Sequence, residues 1–466
     1  MYKLRDYQAE IINKIQNSML TGHRRIIVQS PPRTGKTVVM SEIARRATVK
    51  NRRVLFLIHR KEVLEQANAA FKEQGVDFDL LTSGMVQTLT RRVDKLDAPH
   101  LILVDEAHHA LSKSYRRILG KFKDAYVLLF TATPVRLGRE QLDQVADDIV
   151  LGKSIKELTA AGFLAPFRYY QPPAGFNQSE LKLSSTGDYT NKSITSALQS
   201  CLYGDLVSHY KRLAAGKQAV CYCHSIDAAK HAAAEFNKNG IAAAEVDGTT
   251  PRSERDELVK KFRDGAIKVM VNVNLFTEGV DLPDVDAVIL ARPTSSLSLY
   301  LQFAMRCLNP RRGKVAVIID HANNVEKFGY PDSERNWLQL VKTGAKTRKN
   351  AETDNFNIVT CETCFAVLES RTIKAGTCPY CDALIKQKRP DKPVALIDLV
   401  EAARNEIASK KIDDYHQLKT VGELYEYAKR HGYKRGWAYH IAKSRGLLWH
   451  MTSETWKQNI KFMIVH

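Results

Sequence analysis

Short apolar runs alternate with longer amphipathic stretches through most of this chain. In the first 150 residues the runs are Ile26–Gln29, Val54–Ile58, Leu101–Val104 and Val127–Thr131. Continuous apolar runs of four or five residues, separated by helical spacing, predict strands buried on both faces of a parallel sheet. The pattern resumes over 205–345, with strands expected at Ala219–Cys223, Ala242–Val246, Lys268–Val273, Ala287–Ala291 and Lys314–Asp320. The helix between the first two is plain in Ile226–Ala234, which is rich in strong helix formers. The stretch between the two series is irregular, with a Pro-Pro-Ala-Gly turn at 172–175 and Ser/Thr/Asn-rich residues near 184–196. The expected organisation is an α/β domain over 1–155, a connector over 156–204, and a second α/β domain over 205–345. A linker with paired cysteines follows over 346–388, then a helical module over 389–466.

Composition narrows the partner. The net charge is +19, from 70 Lys+Arg against 51 Asp+Glu, and such an excess favours a polyanion such as a phosphate backbone. No apolar run approaches the roughly 18–20 residues that span a bilayer, and the first residues lack the apolar core of a signal peptide. The expected location is therefore the cytoplasm. Cys201, Cys221, Cys223 and Cys307 are scattered through apolar or helical contexts and read as reduced packing residues.

Two motifs carry the chemistry, and each directly follows an apolar run. Gly35-Lys36-Thr37 closes a turn after the first strand and opens a helix. The amides of such a turn and the helix N-terminus cradle phosphates. Lys36 is placed to bridge β- and γ-phosphates, and the Thr37 hydroxyl to ligate Mg²⁺. Asp105-Glu106-Ala107-His108 follows the third strand. Asp105 suits a Mg²⁺ contact, and Glu106 suits the general base for an attacking water. ATP and Mg²⁺ are thus expected ligands.

With these motifs the chain resembles superfamily 2 helicases and translocases of the Asp-Glu-Ala-His class, similar to phage-encoded members and to type III restriction motor subunits. The resemblance covers residues 1 to about 325. It implies an α/β fold of two tandem RecA-like (P-loop) domains with ATP in the cleft between them, followed here by a zinc ribbon and a helical segment. It implies that Arg5 and Gln8, in Leu4-Arg5-Asp6-Tyr7-Gln8, read adenine. It implies nucleic-acid contacts at Arg60, Gln87, Thr88, His224, Thr249 and Thr277. In Asn274–Pro283, Gly279 and Asp281 would also meet nucleotide. Thr131-Ala132-Thr133-Pro134 would couple the ATP site to domain closure, and His108, Gln302 and Arg306 would complete the catalytic set. The activity implied is an ATP-dependent helicase or translocase on DNA (single-stranded, forked or branched) or RNA, in replication, recombination or branch migration. A restriction or defence motor, and an ATP-gated clamp that hardly hydrolyses, are the alternatives. For a phage-encoded protein the compartment would be the bacterial host cytoplasm.

Two motifs depart from the family pattern: in the phosphate loop Ser30, Pro32 and Arg33 replace alanine, threonine and the first glycine, and in the last motif Met305 and Asn309 replace the glycine and the second arginine. A side chain at 33 must point away from the phosphates or carry a contact of its own. Loss of the arginine at 309 predicts slow or conditional hydrolysis, with Arg306 acting alone or Arg292, Arg311 or Arg312 substituting.

Cys361-Glu362-Thr363-Cys364 and Cys378-Pro379-Tyr380-Cys381 are two C-x-x-C knuckles thirteen residues apart. That spacing predicts a closed four-thiolate Zn²⁺ site with a structural role. Residues 386–466 carry 16 Lys+Arg against 9 Asp+Glu, with Tyr433, Trp437, Tyr439 and Trp449 interleaved. Such a mixture fits nucleic-acid binding, and it fits equally a small helical core with lysines outside.

Overall fold

A computed structural model describes residues 1–135, 140–172, 180–184, 187–198, 202–273, 275, 282, 285–343, 358–373 and 376–385. Of the last segment it describes 418, 423–424, 427–428, 431–433, 436–445 and 447. The chain divides into two compact units, Met1–Ile385 and Lys386–His466.

The first unit holds two six-stranded sheets, parallel throughout. Strands β1 (Arg25–Gln29), β2 (Val54–Ile58), β3 (Leu81–Met85), β4 (Leu101–Val104), β5 (Tyr126–Thr131) and β6 (Asp148–Leu151) form the first, in the order β3-β2-β4-β5-β1-β6. Strands β7 (Phe167–Tyr170), β8 (Ala219–Tyr222), β9 (Ala243–Val246), β10 (Val269–Asn272), β11 (Ala287–Leu290) and β12 (Ala316–Asp320) form the second, in the order β7-β12-β11-β8-β10-β9. The central strands are buried along their whole length, because helices cover both faces of each sheet.

Three helices frame the first sheet's upper edge. Helix α1 (Asp6–Leu20) begins where the Gln8 side chain accepts from the Arg5 amide at 3.0 Å. Helix α2 (Lys36–Val49) opens directly after Gly35, whose φ of 74° is cheap only without a side chain. Helix α3 (Lys61–Gln74) ends at Gly75, again left-handed. Glu42 ties α2 to α3. Its carboxylate accepts from Arg45 Nε and Nη2 at 2.8 Å, from Arg46 Nε at 2.7 Å and from Gln74 Nε2 on α3 at 2.8 Å.

The connector expectation needs correcting. Residues 167–170 form β7, the edge strand of the second sheet, with Tyr170 registered on Ile319 of β12. Its two buried tyrosines follow a half-buried Phe and an exposed Arg, so the apolar run is too short to signal a strand. The neighbouring residues of that stretch supply the helix Asn191–Leu198.

The cysteine hairpin, β13 (Ile358–Thr360) and β14 (Val367–Glu369), is annexed to the same sheet. Tyr170 bridges Ala366, and the Gln171 amide donates to the Phe365 carbonyl at 2.8 Å. Arg212 lies 4.8 Å over the Phe365 ring, and Arg168 lies 5.1 Å over Tyr380. Cys361, Ala366, Leu368 and Cys378 are buried in the core that covers one face of the second sheet. The hairpin therefore folds onto the second domain.

In the second unit, Leu418, Leu424, Tyr427, Ala428, Ala438 and Ala442 make a small core. Tyr427 stacks on His431 at 4.0 Å and Tyr433 on Trp437 at 4.7 Å, with Tyr433 exposed. Tyr427 is buried in that core, whereas Tyr433 faces solvent. Trp449 lies outside the described residues.

Candidate active site

Strand order places the chemistry. Strands β4, β5 and β1 are neighbours, so the turns at their C-terminal ends meet along one edge. The turn after β1 is heavily braced. Thr34 Oγ1 donates to the Pro31 carbonyl at 2.7 Å, and its own carbonyl accepts from Tyr7 Oη at 2.9 Å and Gln8 Nε2 at 3.1 Å. Gln8, expected as an adenine reader, is thus buried against the loop. A Cβ at residue 35 would meet its Nε2 at 2.6 Å, so any side chain there would displace Gln8 as well as bear the strain of φ 74°. Arg5 is exposed and lies 5.2 Å over the Phe163 ring, with Tyr7 on another side of that ring at 4.9 Å. Phe163 gave no motif signal in the sequence.

Lys36 and Thr37 open α2. Lys36 Nζ lies 3.4 Å from Glu106 Oε1, and His108 Nδ1 lies 3.4 Å from Glu106 Oε2. Glu106 adopts φ 48°, an uncommon conformation for a side-chain-bearing residue that turns its carboxylate toward the phosphate loop. Asp105 is buried, and its Oδ1 accepts the Glu106 amide at 2.9 Å. The expected group of Lys36, Asp105, Glu106 and His108 is therefore assembled.

The second domain closes over this edge. Thr133, 1 % exposed and two residues past β5, donates to Ser298 Oγ at 2.6 Å on the helix Leu297–Ala304. Ser298 gave no signal in the sequence. Gln302 and Arg306 are both buried on or just after that helix. Arg33 Nη1 donates to Asn309 Oδ1 at 2.7 Å, so one departure in each motif bonds to the other.

The expected nucleic-acid residues divide. Gln87 and Thr88 are exposed on the helix Val86–Arg91, and Thr249 is exposed with its hydroxyl held by Asp247 at 2.6 Å. Arg60 is half-buried at the start of α3. His224 is instead 4 % exposed and bonded to Thr195 at 3.0 Å; burial, with Arg292 nearby, pushes its imidazole down to about 4. A neutral, covered histidine does not present itself to a backbone, and the helix that covers it arises from the supposed connector. Thr277, Gly279 and Asp281 lie outside the described residues.

The four cysteines converge. All four Sγ atoms lie within 4.8 Å of one another, with Cys361–Cys381 at 3.7 Å and Cys364–Cys378 at 3.6 Å. A tetrahedral site with Zn–S bonds of ~2.3 Å has sulfur–sulfur edges of about 3.8 Å, so the donor set fits zinc. Burial opposes ionisation of Cys361, but the Cys364 and Thr363 amides donating to its sulfur bring the thiol down to about 7.

Residues 1–85 and 82–136 match the family model described as type III restriction enzyme, res subunit, and 200–310 match the helicase conserved C-terminal domain. A 51.5 kDa protein of Lactococcus phage (isolate 7-9) is 38% identical over 361 residues, covering 77% of this chain and 75% of its own length. The chain belongs to the superfamily 2 helicases. "Putative ATP-dependent helicase IRC3" of Saccharomyces cerevisiae is 32% identical over 362 residues, 70% of this chain and 51% of that relative's length. This helicase-family chain thus spans about half of that relative. Among solved structures, the fragment of a putative HsdR subunit of a type I restriction enzyme from Vibrio vulnificus YJ016 shares the fold. It superposes with a TM-score of 0.57 at 22% identity, over 71% of this chain and 67% of that one. Membership implies an ATP- and Mg²⁺-dependent motor with two RecA-like domains. Among the described residues no helix is long and apolar enough to cross a membrane.

Proposed function

We propose that this protein is an ATP-driven DNA helicase or translocase acting on single-stranded, forked or branched DNA. The observation that carries the reading is the convergence of Lys36, Glu106 and His108 at the phosphate loop, faced by a second domain bonded through Ser298 and Asn309. The loop amides, Lys36 and Thr37 hold the phosphates. Glu106 takes the proton of the attacking water, and His108 steadies the carboxylate. Mg²⁺, held through Thr37 and Asp105, would offset charge on the transferred phosphoryl. Gln302 and Arg306 act from the second domain. Hydrolysis changes which interdomain bonds are favoured, and cleft motion follows.

DNA is favoured by the restriction-subunit family match and the +19 charge, with Gln87, Thr88 and Thr249 exposed for backbone contact. A role in replication, recombination or branch migration fits such a motor. The restriction match equally supports a defence motor whose nuclease is a separate chain. The phage relative supports a place in the bacterial host cytoplasm. Zinc held by Cys361, Cys364, Cys378 and Cys381 serves structure, because four thiolates leave no open coordination position.

The test is ATPase and strand displacement with single-stranded, duplex, forked and four-way DNA and with RNA. Lys36→Ala should abolish turnover. Glu106→Gln should keep ATP binding and lose ~10²–10⁴-fold in turnover, the usual contribution of a general base. Turnover indifferent to every nucleic acid, or surviving both substitutions, refutes the motor reading; brisk binding without hydrolysis supports the clamp instead.

A further inference from the structure

Arg33 stands in the phosphate loop three residues before Lys36, at the place of a glycine in the family pattern. Its φ is 67°, a conformation that costs a side-chain-bearing residue ~1–3 kcal/mol and glycine nothing. Glycine would sit here without that strain, so the Arg33 side chain is what needs an account. The guanidinium crosses the cleft and donates to Asn309 Oδ1 at 2.7 Å. Asn309 in turn occupies the position of the arginine that the last motif normally supplies.

The arginine left in that motif lies beside a buried tyrosine. Arg306 is 9 % exposed and bears on the Tyr222 hydroxyl, itself fully buried and stacked on Phe303 at 4.0 Å. The charge of Arg33 also reaches that hydroxyl, so both guanidinium groups lie in one neighbourhood. The arginine missing from the second domain's motif is thus matched by one on the first domain's loop.

We infer that Arg33 is the arginine that meets the γ-phosphoryl group during hydrolysis, and that Asn309 is its positioning residue, reached only when the two domains close. The inference rests on the ATP-hydrolysis reading above. In the step, the bond from the γ-phosphorus to the β–γ bridging oxygen breaks as the water oxygen bonds to phosphorus. The water proton goes to Glu106, and ADP leaves with the electron pair. Arg33 stabilises the charge on the transferring oxygens, and a guanidinium has five N–H donors, enough to serve both Asn309 and phosphate. Charge and phosphate loop then travel together, and the second domain contributes orientation.

The experiment uses the full chain with Arg33→Gly, Arg33→Lys, Asn309→Arg and the double variant Arg33→Gly/Asn309→Arg. It reads DNA-stimulated turnover and, separately, the affinities for ADP and for ADP–aluminium fluoride, a mimic of the transferring state. Arg33→Gly should lower turnover by at least ~10³-fold and abolish the preference for ADP–aluminium fluoride over ADP. ADP affinity should stay within about threefold, which also certifies folding. Arg33→Lys should recover little, because an ammonium lacks the planar fork. The double variant, which restores the family residues at these two positions, should regain at least tenfold over Arg33→Gly. An Arg33→Gly variant that keeps both turnover and the ADP–aluminium fluoride preference overturns the assignment. A parent that fails to hydrolyse ATP at all would instead overturn the functional reading beneath it.

Discussion

Ser298→Ala isolates the bond between the two domains. Thr133 Oγ1 donates to Ser298 Oγ at 2.6 Å, and Thr133 is 1 % exposed. Truncating the serine leaves a buried donor without that partner when the domains are closed; when they part, water can reach it. A buried group left unmatched costs ~1–3 kcal/mol, and the half-covered serine site points to the lower part, about 1–2 kcal/mol. That penalty falls on the closed arrangement alone and reduces its population by a factor of roughly 5–30. DNA-stimulated turnover should fall by the same factor, with ADP affinity unchanged because the phosphate loop keeps its own braces. Ser298→Thr, which keeps a hydroxyl, should stay near the parent. Thr133→Val should cost a similar amount, and the double variant little more, giving a coupling energy of at least ~0.5 kcal/mol. Strictly additive losses, or a Ser298→Ala enzyme as fast as the parent, would show that this bond does not report on closure.

Two further outcomes follow from the same structure. Hydrogen bonds from Arg45, then Arg46 and Gln74, hold the Glu42 carboxyl at about 2 against the opposing effect of burial. Its folded-state value is depressed, so its stabilisation is full above the ordinary carboxyl range and is lost as pH falls from about 5 towards 2. The drop is worth at most ~3 kcal/mol, and nearer ~2 with Arg46 38% exposed. Glu42→Gln should therefore lower the urea midpoint at pH 7 and narrow its gap to the parent near pH 3; an equal deficit at both pH values contradicts the ion-pair account. Chelation of zinc, or Cys378→Ser, should make residues 358–385 protease-sensitive, whereas α1 and α2 keep parent-like hydrogen-exchange protection. A chelated protein with an intact hairpin would remove the structural role of metal.

What the sequence disclosed depended on burial. Strands such as β4 and β11, buried on both faces, are continuous apolar runs and were legible to within a residue or two. The edge strand β3 reads Leu-Thr-Ser-Gly-Met and β7 reads Phe-Arg-Tyr-Tyr, so neither carries a sustained run, and pairing partners far along the chain decide them. The nucleotide motifs were legible because each chemistry demands a residue type at a fixed turn. His224 matched a motif yet is covered by the helix Asn191–Leu198, which no local pattern predicts. Ser298 and Phe163 were invisible because their importance lies in what crosses the cleft or the loop, not in their neighbours in sequence. Arg33 and Asn309 were each visible as an oddity; only their 2.7 Å bond reveals that the two belong together.

The cysteine hairpin also bears on how the protein survives its own synthesis. Strand β7 leaves the ribosome long before β12, its partner in the sheet, so Phe167–Tyr170 must wait through some 150 residues of chain for its ladder. Even then its outer side is an open edge able to recruit a foreign strand. Ala366 and Phe365 cover that side at Tyr170 and Gln171, and they are held there by the knuckles that enclose the four thiols. A metal bound by the four thiolates would hold that seal in place. A cell short of zinc would accumulate chains that are catalytically equipped but sticky, and the shortage would register first as aggregation rather than as lost turnover.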